Sequence, residues 1–122
     1  MNKQQTGKLA YLSGQSAESQ VAADYTRRGH NLLAERWRGK AGEVDLIFAA
    51  RNEIVFVEVK KARSFSDAAA RISPRQQQRI CLAAEEYLGT RPQGLLTPMR
   101  VDAAFVNAQG EVRILENAIS DM

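Results

Sequence analysis

The sequence predicts one α/β domain over residues 1–122, built around a mixed β-sheet. Residues 42–60, GEVDLIFAARNEIVFVEVK, alternate along two arms around a polar turn, which is typical of a β-hairpin. Segments with an α-helical period precede and follow the hairpin, and a further alternating segment comes after them. We therefore expect the order helix, three strands, helix, strand and a final edge strand, with the second helix as a crossover.

The N-terminal part of the chain is expected to form a helix and then a strand. Residues 14–28 carry a stripe of apolar residues at the helical period, and Gly29 is suited to end this helix. The segment HNLLAERWR then predicts the first strand, with Leu33 and Trp37 as core residues. Trp37 is alternatively a platform for stacking on a base, although a lone tryptophan in a strand is more often a core residue.

The C-terminal part is expected to form a loop, a helix and two strands. Residues 61–71 are small and basic and predict a mobile loop. Ser73 as the N-cap and Pro74 at the first helical position then begin a helix. RVDAAFV and EVRIL predict the last two strands, and we expect Arg100 and Asp102 in the first of these to form a structural ion pair.

Three ionisable side chains are expected on one face of the hairpin. Alternation places Asp45 on one face of the first arm, and Glu58 and Lys60 on one face of the second. The three converge if the hairpin pairs with those faces on the same side. Because both faces of the hairpin also carry large apolar residues, the carboxylates would lose solvation. One lysine balances only one acid, so the cluster is either a structural ion pair or a divalent-cation site.

Glu18 is a further candidate, because it lies within the apolar stripe of the first helix. A carboxylate on a buried helix face requires a partner. That partner is either an arginine or a helix cap, or else the site formed by Asp45 and Glu58.

Positive charge is concentrated on both sides of the hairpin. The net charge is only +3, with a pI near 9.3, which permits a polyanionic partner without establishing one. One basic run lies within residues 27–40 and the other within residues 60–79. These runs are either solvated faces or a nucleic-acid-binding surface. In the second case we expect phosphate contacts from the following residues: Lys40, Arg63, Arg75, Arg79 and, at a helix N-terminus, Gln77.

Composition excludes several other classes. Cys81 is the only cysteine and His30 the only histidine, so neither an internal disulfide nor an ordinary zinc site can be assembled. The single cysteine also favours a reducing compartment. No segment is long and apolar enough to span a membrane, and the first residues lack the apolar core of a signal peptide. We expect a cytoplasmic protein with no membrane partner.

The hairpin also carries a family resemblance. An aspartate, a hydrophobic strand and then Glu-x-Lys, as in GEVDLI followed by VFVEVK, resembles the PD-(D/E)xK nuclease superfamily. The wider match is similar to the YraN-like family of small, functionally uncharacterised bacterial proteins and covers nearly the whole chain. It implies a restriction-endonuclease-like core with a Holliday junction resolvase-like fold. Gln77 matches a Lys-Gln pair of that family, whereas Gln76 and Val101 depart from its pattern.

The resemblance implies a metal-dependent endonuclease that hydrolyses nucleic-acid phosphodiesters, with DNA as the expected substrate. Asp45, Glu58 and the backbone carbonyl of Val59 would hold Mg²⁺ or Mn²⁺. Lys60 would orient or deprotonate the attacking water. Glu18 would support the waters of the metal or a second cation, since resolvase-like enzymes place a glutamate of their first helix beside the metal.

Two other functions stay open at this point. One is a catalytically silent nucleic-acid-binding domain in which the acids and Lys60 form a structural polar cluster, and the other is a protein-interaction module. Glu43, on the same face as Asp45, is an outer candidate for the site in the nuclease case. Symmetric cleavage of two strands would require a homodimer, with which the sequence is compatible.

Overall fold

The computed structural model describes residues 17–68 and 72–119, and within them it confirms the α/β class. Five strands form one mixed sheet in the order β1-β2-β3-β4-β5, consistent with a restriction-endonuclease-like core. None of the helices in these two ranges is both long enough and apolar enough to cross a membrane. The elements, in chain order, are α1 (residues 17–27), β1 (Asn31–Arg38), β2 (Glu43–Ala50), β3 (Glu53–Lys61), α2 (Phe65–Ala68), α3 (Pro74–Leu88), a 3-10 turn (Gly94–Leu96), β4 (Met99–Val106) and β5 (Val112–Leu115).

The sheet combines a meander with one crossover. Strands β1, β2 and β3 are antiparallel neighbours, β4 lies parallel to β3, and β5 is antiparallel to β4. Helix α3 makes the crossover between the parallel strands β3 and β4, as the sequence predicts. The crossover places α3 on one face of the sheet, while α1 covers the other face.

Each helix seals its own hydrophobic core. Ile80, Ala84 and Leu88 of α3 belong to a buried cluster with Ile47 and Phe56 of the sheet. On the other face, the buried residues of α1 pack on alternate positions of the same strands: Val21 and Tyr25 against Leu46, Phe48, Val55 and Val57. The sheet is thus buried on both sides, which explains the two apolar faces of the hairpin.

The ends of both long helices follow the predicted signals. Gly29 adopts φ +92°, the left-handed conformation that glycine supplies after a helix. At the start of α3, the Ser73 hydroxyl accepts a bond from the Gln76 amide N–H at 3.2 Å, and the Gln76 side chain accepts one from the Ser73 N–H at 3.1 Å. This capping box fixes the point at which α3 begins.

The structure differs from the sequence-based expectations in β1 and in the segment after β3. Leu33 is 38% exposed rather than a core residue, because β1 is an edge strand whose register shifts at a bulge between Leu32 and Ala34. Trp37 does reach the core, where its ring meets that of Tyr87 edge-on at 5.5 Å. The segment predicted as a loop contains the short helix α2, and the predicted start of the first helix lies outside the described residues.

A buried polar network lies beneath α1. Asp102 is fully buried and accepts hydrogen bonds from the Tyr25 hydroxyl at 2.7 Å, Arg100 Nε at 3.0 Å and the Asn117 backbone N–H at 2.8 Å. Arg100 also bonds to Glu53 at 2.8 Å. Burial, followed by the hydrogen bond to Asp102, raises the pKa of Tyr25 far above its ordinary value. The expected Arg100–Asp102 ion pair is confirmed within β4, and the hydrogen bond from Tyr25 to Asp102 joins α1 to β4.

Candidate active site

Asp45 and Glu58 lie opposite each other on the face of the sheet that α3 covers. The ladder between β2 and β3 ends at the pair Leu46–Val57. Beyond it, Asp45 and Glu58 line the same cavity against α3, and a hydrogen bond joins their side chains. The convergence that the sequence left dependent on register therefore occurs in the structure.

The backbone of β3 fixes the orientation of Asp45. Its Oδ2 accepts a hydrogen bond of 2.8 Å from the Val59 N–H, in the place where a backbone carbonyl of β2 would otherwise bond. In an antiparallel pair, the N–H and C=O of one residue point to the same side. The carbonyl of Val59 is therefore expected to face the same gap as the carboxylate of Asp45.

Asp45 raises the pKa of Glu58, whereas the hydrogen bond from Glu58 lowers the pKa of Asp45. Burial, followed by the charge of Asp45, raises the pKa of Glu58 from 4.5 to about 7. Burial also raises the pKa of Asp45, against the hydrogen bond from Val59, and the charges of Glu18 and Glu43 add to the increase. The pair thus holds more negative charge than its surroundings compensate.

Lys60 belongs to the same cluster. Its Nζ lies 3.3 Å from Glu58 Oε1, and the two side chains are 27% and 14% exposed. Lys60 lowers the pKa of Glu58, but this effect is smaller than the combined effect of burial and Asp45. One ammonium group therefore leaves the pair short of positive charge.

Glu18 has an arginine as its partner, one of the two alternatives that the sequence left open. Its Oε2 accepts a bond of 3.2 Å from Arg36 Nε, so an arginine of β1 compensates the carboxylate on α1. The charge of Glu18 nevertheless contributes to the raised pKa of Asp45. Glu18 is thus electrostatically coupled to the site while being paired with Arg36.

The carboxylate pair opens into a small cavity against the first half of α3. The cavity has a volume of about 200 Å³ and is lined by Glu43, Asp45, Glu58, Gln76, Arg79 and Ile80. Gly42 makes room for Arg79, because a Cβ at this glycine would lie 2.9 Å from Cγ and Cδ of the arginine. Arg79 is the one basic residue among the cavity's lining residues in the described part of the chain.

The other expected nucleic-acid contacts lie elsewhere. Gln77 donates its amide to the Ile72 carbonyl at 3.1 Å, so it closes the turn before α3. Arg75 is exposed in the first turn of α3, Arg63 is exposed beside a second cavity, and Lys40 is exposed in the β1–β2 loop. Only Arg79 of this set lines the cavity with Asp45 and Glu58.

Sequence reasoning missed the role of Glu86. Its carboxylate accepts hydrogen bonds from the backbone N–H groups of Lys40 at 2.8 Å and Ala41 at 2.6 Å, and these bonds lower the pKa of Glu86. The loop that leads into β2 is therefore attached to α3. No spacing rule links positions 41 and 86, whereas the Ser73-x-x-Gln76 spacing was a readable signal for the cap that Gln76 forms.

The side-chain ligand set available for a metal is small. No group of three or more histidine, cysteine or acidic side chains is arranged to hold a metal ion in residues 17–68 and 72–119. Mg²⁺ commonly binds through one or two carboxylates and retains several waters. The oxygen donors of Asp45 and Glu58, with their unbalanced charge, fit such an ion.

The raised pKa of Glu58 predicts how the stability of the ligand-free protein changes with pH. Glu58 has a pKa of about 7 in the folded protein and 4.5 as its ordinary value. Protonated Glu58 therefore contributes to the free energy of unfolding. This contribution is fully present below pH 4.5 and is lost as the pH rises through 7. In EDTA, Glu58→Gln should therefore be more stable than wild type at alkaline pH, by about 3 kcal/mol.

Urea unfolding at a series of pH values measures this difference. It should be small at acidic pH, grow through neutrality and then level off. Glu85→Gln, at an exposed position on α3, is the matched control and should show no such trend. A difference between Glu58→Gln and wild type that did not vary with pH would contradict the raised pKa of Glu58.

Comparison with known proteins shows the family to which the chain belongs. The fold and the site define an α/β protein with a pair of partly buried carboxylates on a mixed sheet. The chain belongs to the family described as "Uncharacterised protein family UPF0102", whose pattern matches residues 17–106, and the YraN-like resemblance is thereby confirmed.

Several relatives cover most of the chain. The UPF0102 protein of Roseobacter denitrificans is 51% identical over 115 residues, which are 94% of this chain and 89% of that protein. The UPF0102 protein of Ruegeria pomeroyi is 48% identical over 92% of this chain and 91% of its own length. One from Cereibacter sphaeroides is 49% identical over 94% of this chain and 98% of its own length.

Proposed function

We propose that this protein is a divalent-metal-dependent endonuclease that hydrolyses phosphodiesters of nucleic acid, with DNA as the expected substrate. The observation that carries the proposal is that Asp45 and Glu58 line one cavity, share a hydrogen bond and both have raised carboxyl pKa values. Perturbed carboxylates in a cavity are typical of functional sites. The resemblance of this hairpin to the PD-(D/E)xK nucleases supports the same reaction class.

Asp45, Glu58 and the carbonyl of Val59 would hold Mg²⁺ or Mn²⁺. A cation there would offset the excess negative charge of the pair, polarise a phosphoryl oxygen and lower the pKa of a water. The Val59 N–H holds Asp45 in one orientation, so little reorganisation of this carboxylate would accompany binding. Glu18 lies close enough to affect Asp45 and would act on the waters of the metal rather than on the metal directly.

Lys60 would serve the attacking water. Its amino group, next to Glu58, would either orient the water oxygen toward phosphorus or accept the proton that the water loses. The new phosphorus–oxygen bond forms in line with the one that breaks, and the leaving oxygen takes up a proton. Positive charge at Lys60 also offsets the charge that builds up on the phosphoryl oxygens.

Arg79 would bind the phosphate in the cavity. Its stem is held on Gly42 and it lines the same cavity as the carboxylate pair. A guanidinium group binds phosphate oxygens through two parallel hydrogen bonds. Lys40, Arg63, Arg75 and Gln77 lie farther out and would contact neighbouring phosphates of the backbone.

Calorimetric titration with Mg²⁺ and Mn²⁺ tests the proposal, with Asp45→Asn and Glu58→Gln beside the wild type. We expect both substitutions to weaken metal binding by about tenfold or more, because each removes one of two carboxylates. Cleavage of branched, nicked and single-stranded DNA should be lost in parallel. Glu85→Gln removes a carboxylate from an exposed position on α3 and should behave as wild type.

The competing function gives a different result. In a nucleic-acid-binding domain with a structural polar cluster, the wild type would bind DNA in a salt-dependent manner without needing a divalent cation and without forming a product. Absence of metal binding, both with and without DNA, would exclude the nuclease and assign the Glu58–Lys60 pair to structure.

A further inference from the structure

A second cavity lies at the carboxyl ends of the two parallel strands, on the side of the sheet that α1 covers. Its volume is about 530 Å³, within the usual range for ligand sites. Lys61 and Val106 pair at the ends of β3 and β4, and both line the cavity. Open α/β sheets bind ligands outside the carboxyl ends of their strands, so the position itself favours a binding site.

This cavity adjoins the carboxylate site through two pairs of consecutive residues. Lys61 lines the cavity, whereas Lys60, on the opposite face of the same strand, contacts Glu58. Ala17 also lines the cavity, and the next residue, Glu18, acts electrostatically on Asp45. A chain molecule that crosses the end of β3 would therefore pass directly from one site to the other.

The lining of the cavity combines three kinds of chemistry. Ala17, Ala62 and Val106 are buried and form an apolar floor. The amide groups of Gln20 and Gln109 supply hydrogen-bond donors and acceptors, and the cations of Lys61 and Arg63 complete the lining. A small apolar floor fits the face of a base, amides fit its polar edge, and cations fit its phosphate.

The β4–β5 turn preserves the space for one of these amides. Gly110 has φ +80°, which favours glycine, and a Cβ there would lie 2.9 Å from Gln20 Nε2. Within the described residues, the Gln20 amide has no hydrogen-bond partner. It is therefore available to a ligand in the cavity.

We propose that this cavity binds one unpaired nucleotide beside the phosphodiester that is cleaved, so that the substrate is a nucleic acid with a single-stranded segment next to the cut. The inference rests on the proposed nuclease function and specifies its substrate. In a duplex, each base is stacked and paired and cannot enter a concave site without being extruded. An unpaired base enters without that cost, so the cavity selects for the single-stranded segment.

Fluorescence anisotropy with a labelled oligothymidylate and a blunt duplex of equal length tests the proposal. Titrations in EDTA keep binding separate from cleavage. Ala108→Trp fills the cavity from the β4–β5 turn, and Arg63→Gln removes a cation from its lining. The matched controls are Ala23→Trp, at an exposed position on α1, and Arg91→Gln, beyond the far end of α3.

We expect the wild type to prefer the single strand, and each cavity variant to weaken single-strand binding by about tenfold. Binding of the duplex should not change in Ala108→Trp and should fall much less than single-strand binding in Arg63→Gln, because Arg63 would also contact backbone phosphates. Both controls should match the wild type. For Arg63→Gln, the salt slope for the single strand should also fall by about 0.7. Equal losses on single strand and duplex, or no loss in either cavity variant, would overturn the proposal.

The same variants separate this proposal from the nuclease function. If single-strand binding depends on the cavity but the wild type cleaves nothing with Mg²⁺ or Mn²⁺, the cavity is supported as a binding site and the nuclease function fails. If the wild type cleaves tailed and blunt duplexes equally and the cavity variants cleave as well as it does, the nuclease function holds and the cavity proposal is wrong.

Discussion

Lys60→Met should remove cleavage while leaving a folded protein that still binds the divalent cation. The loss expected for removing the group that transfers a proton to or from the attacking water is about 10²–10⁴-fold in rate. Methionine keeps the aliphatic bulk of the side chain, and Lys60 is partly exposed, so the fold should tolerate the change. Cleavage of the best substrate from the DNA panel, measured under single-turnover conditions, provides the rate.

The pH of this experiment matters because Lys60 lowers the pKa of Glu58. Without the lysine, a larger fraction of Glu58 is protonated at neutral pH, which would weaken metal binding for an indirect reason. Rates should therefore be compared at about pH 8.5, above the pKa of about 7 for Glu58 in the wild type.

Arg91→Met is the control for loss of one positive charge, because Arg91 lies beyond the far end of α3 from the site. It should cleave as the wild type does. Cleavage retained by Lys60→Met would remove Lys60 from the mechanism. Loss of both metal binding and cleavage at about pH 8.5 would instead assign Lys60 to the structure of the site.

Asp102→Ala should strongly destabilise the folded protein. It removes the hydrogen bonds from three partners and leaves Arg100 and the Tyr25 hydroxyl without their buried acceptor. Removing one partner of a buried ion pair costs about 3–5 kcal/mol. The free energy of unfolding in urea should fall by this amount, a large share of the total stability of a small domain.

Two further variants test whether the burial of Asp102 causes the loss of stability in Asp102→Ala. Asp102→Asn keeps the shape of the side chain but loses its charge, and should fall between wild type and Asp102→Ala. Glu116→Ala removes the exposed member of the same network, which is 59% exposed and lies 3.7 Å from Arg100, and should cost less than about 1 kcal/mol. Similar losses at Asp102 and Glu116 would contradict the importance of the buried network.

The hairpin shows how much of the fold could be predicted from the sequence. Alternation in two arms places Asp45 and Glu58 on one face because side-chain direction in a strand depends only on position along it. The helix signals at Gly29 and Ser73 are equally local, and both are found in the structure. These features require contacts between residues close in sequence, which patterns can report.

The features that sequence reasoning missed depend on distant contacts. Leu33 is exposed because β1 is an edge strand with a bulge. The residue pattern of β1 predicts neither property. The pairing of Glu18 with Arg36 depends on how α1 crosses the sheet. The loop attachment by Glu86 joins positions more than 40 residues apart. The chemical roles of Asp45, Glu58 and Lys60 remain predictions that the experiments above address.

The attachment of the β1–β2 loop to α3 also has a mechanical consequence. Glu86 of α3 holds the loop through hydrogen bonds to its backbone. Arg79, two turns earlier in the same helix, packs against Gly42 of that loop. The opening between Asp45 and Arg79 is thus set before any ligand arrives, and the fold has little freedom to widen it. In a complex, bending and unstacking would have to occur in the nucleic acid, so sequences and structures that deform easily would be favoured even where no base is contacted.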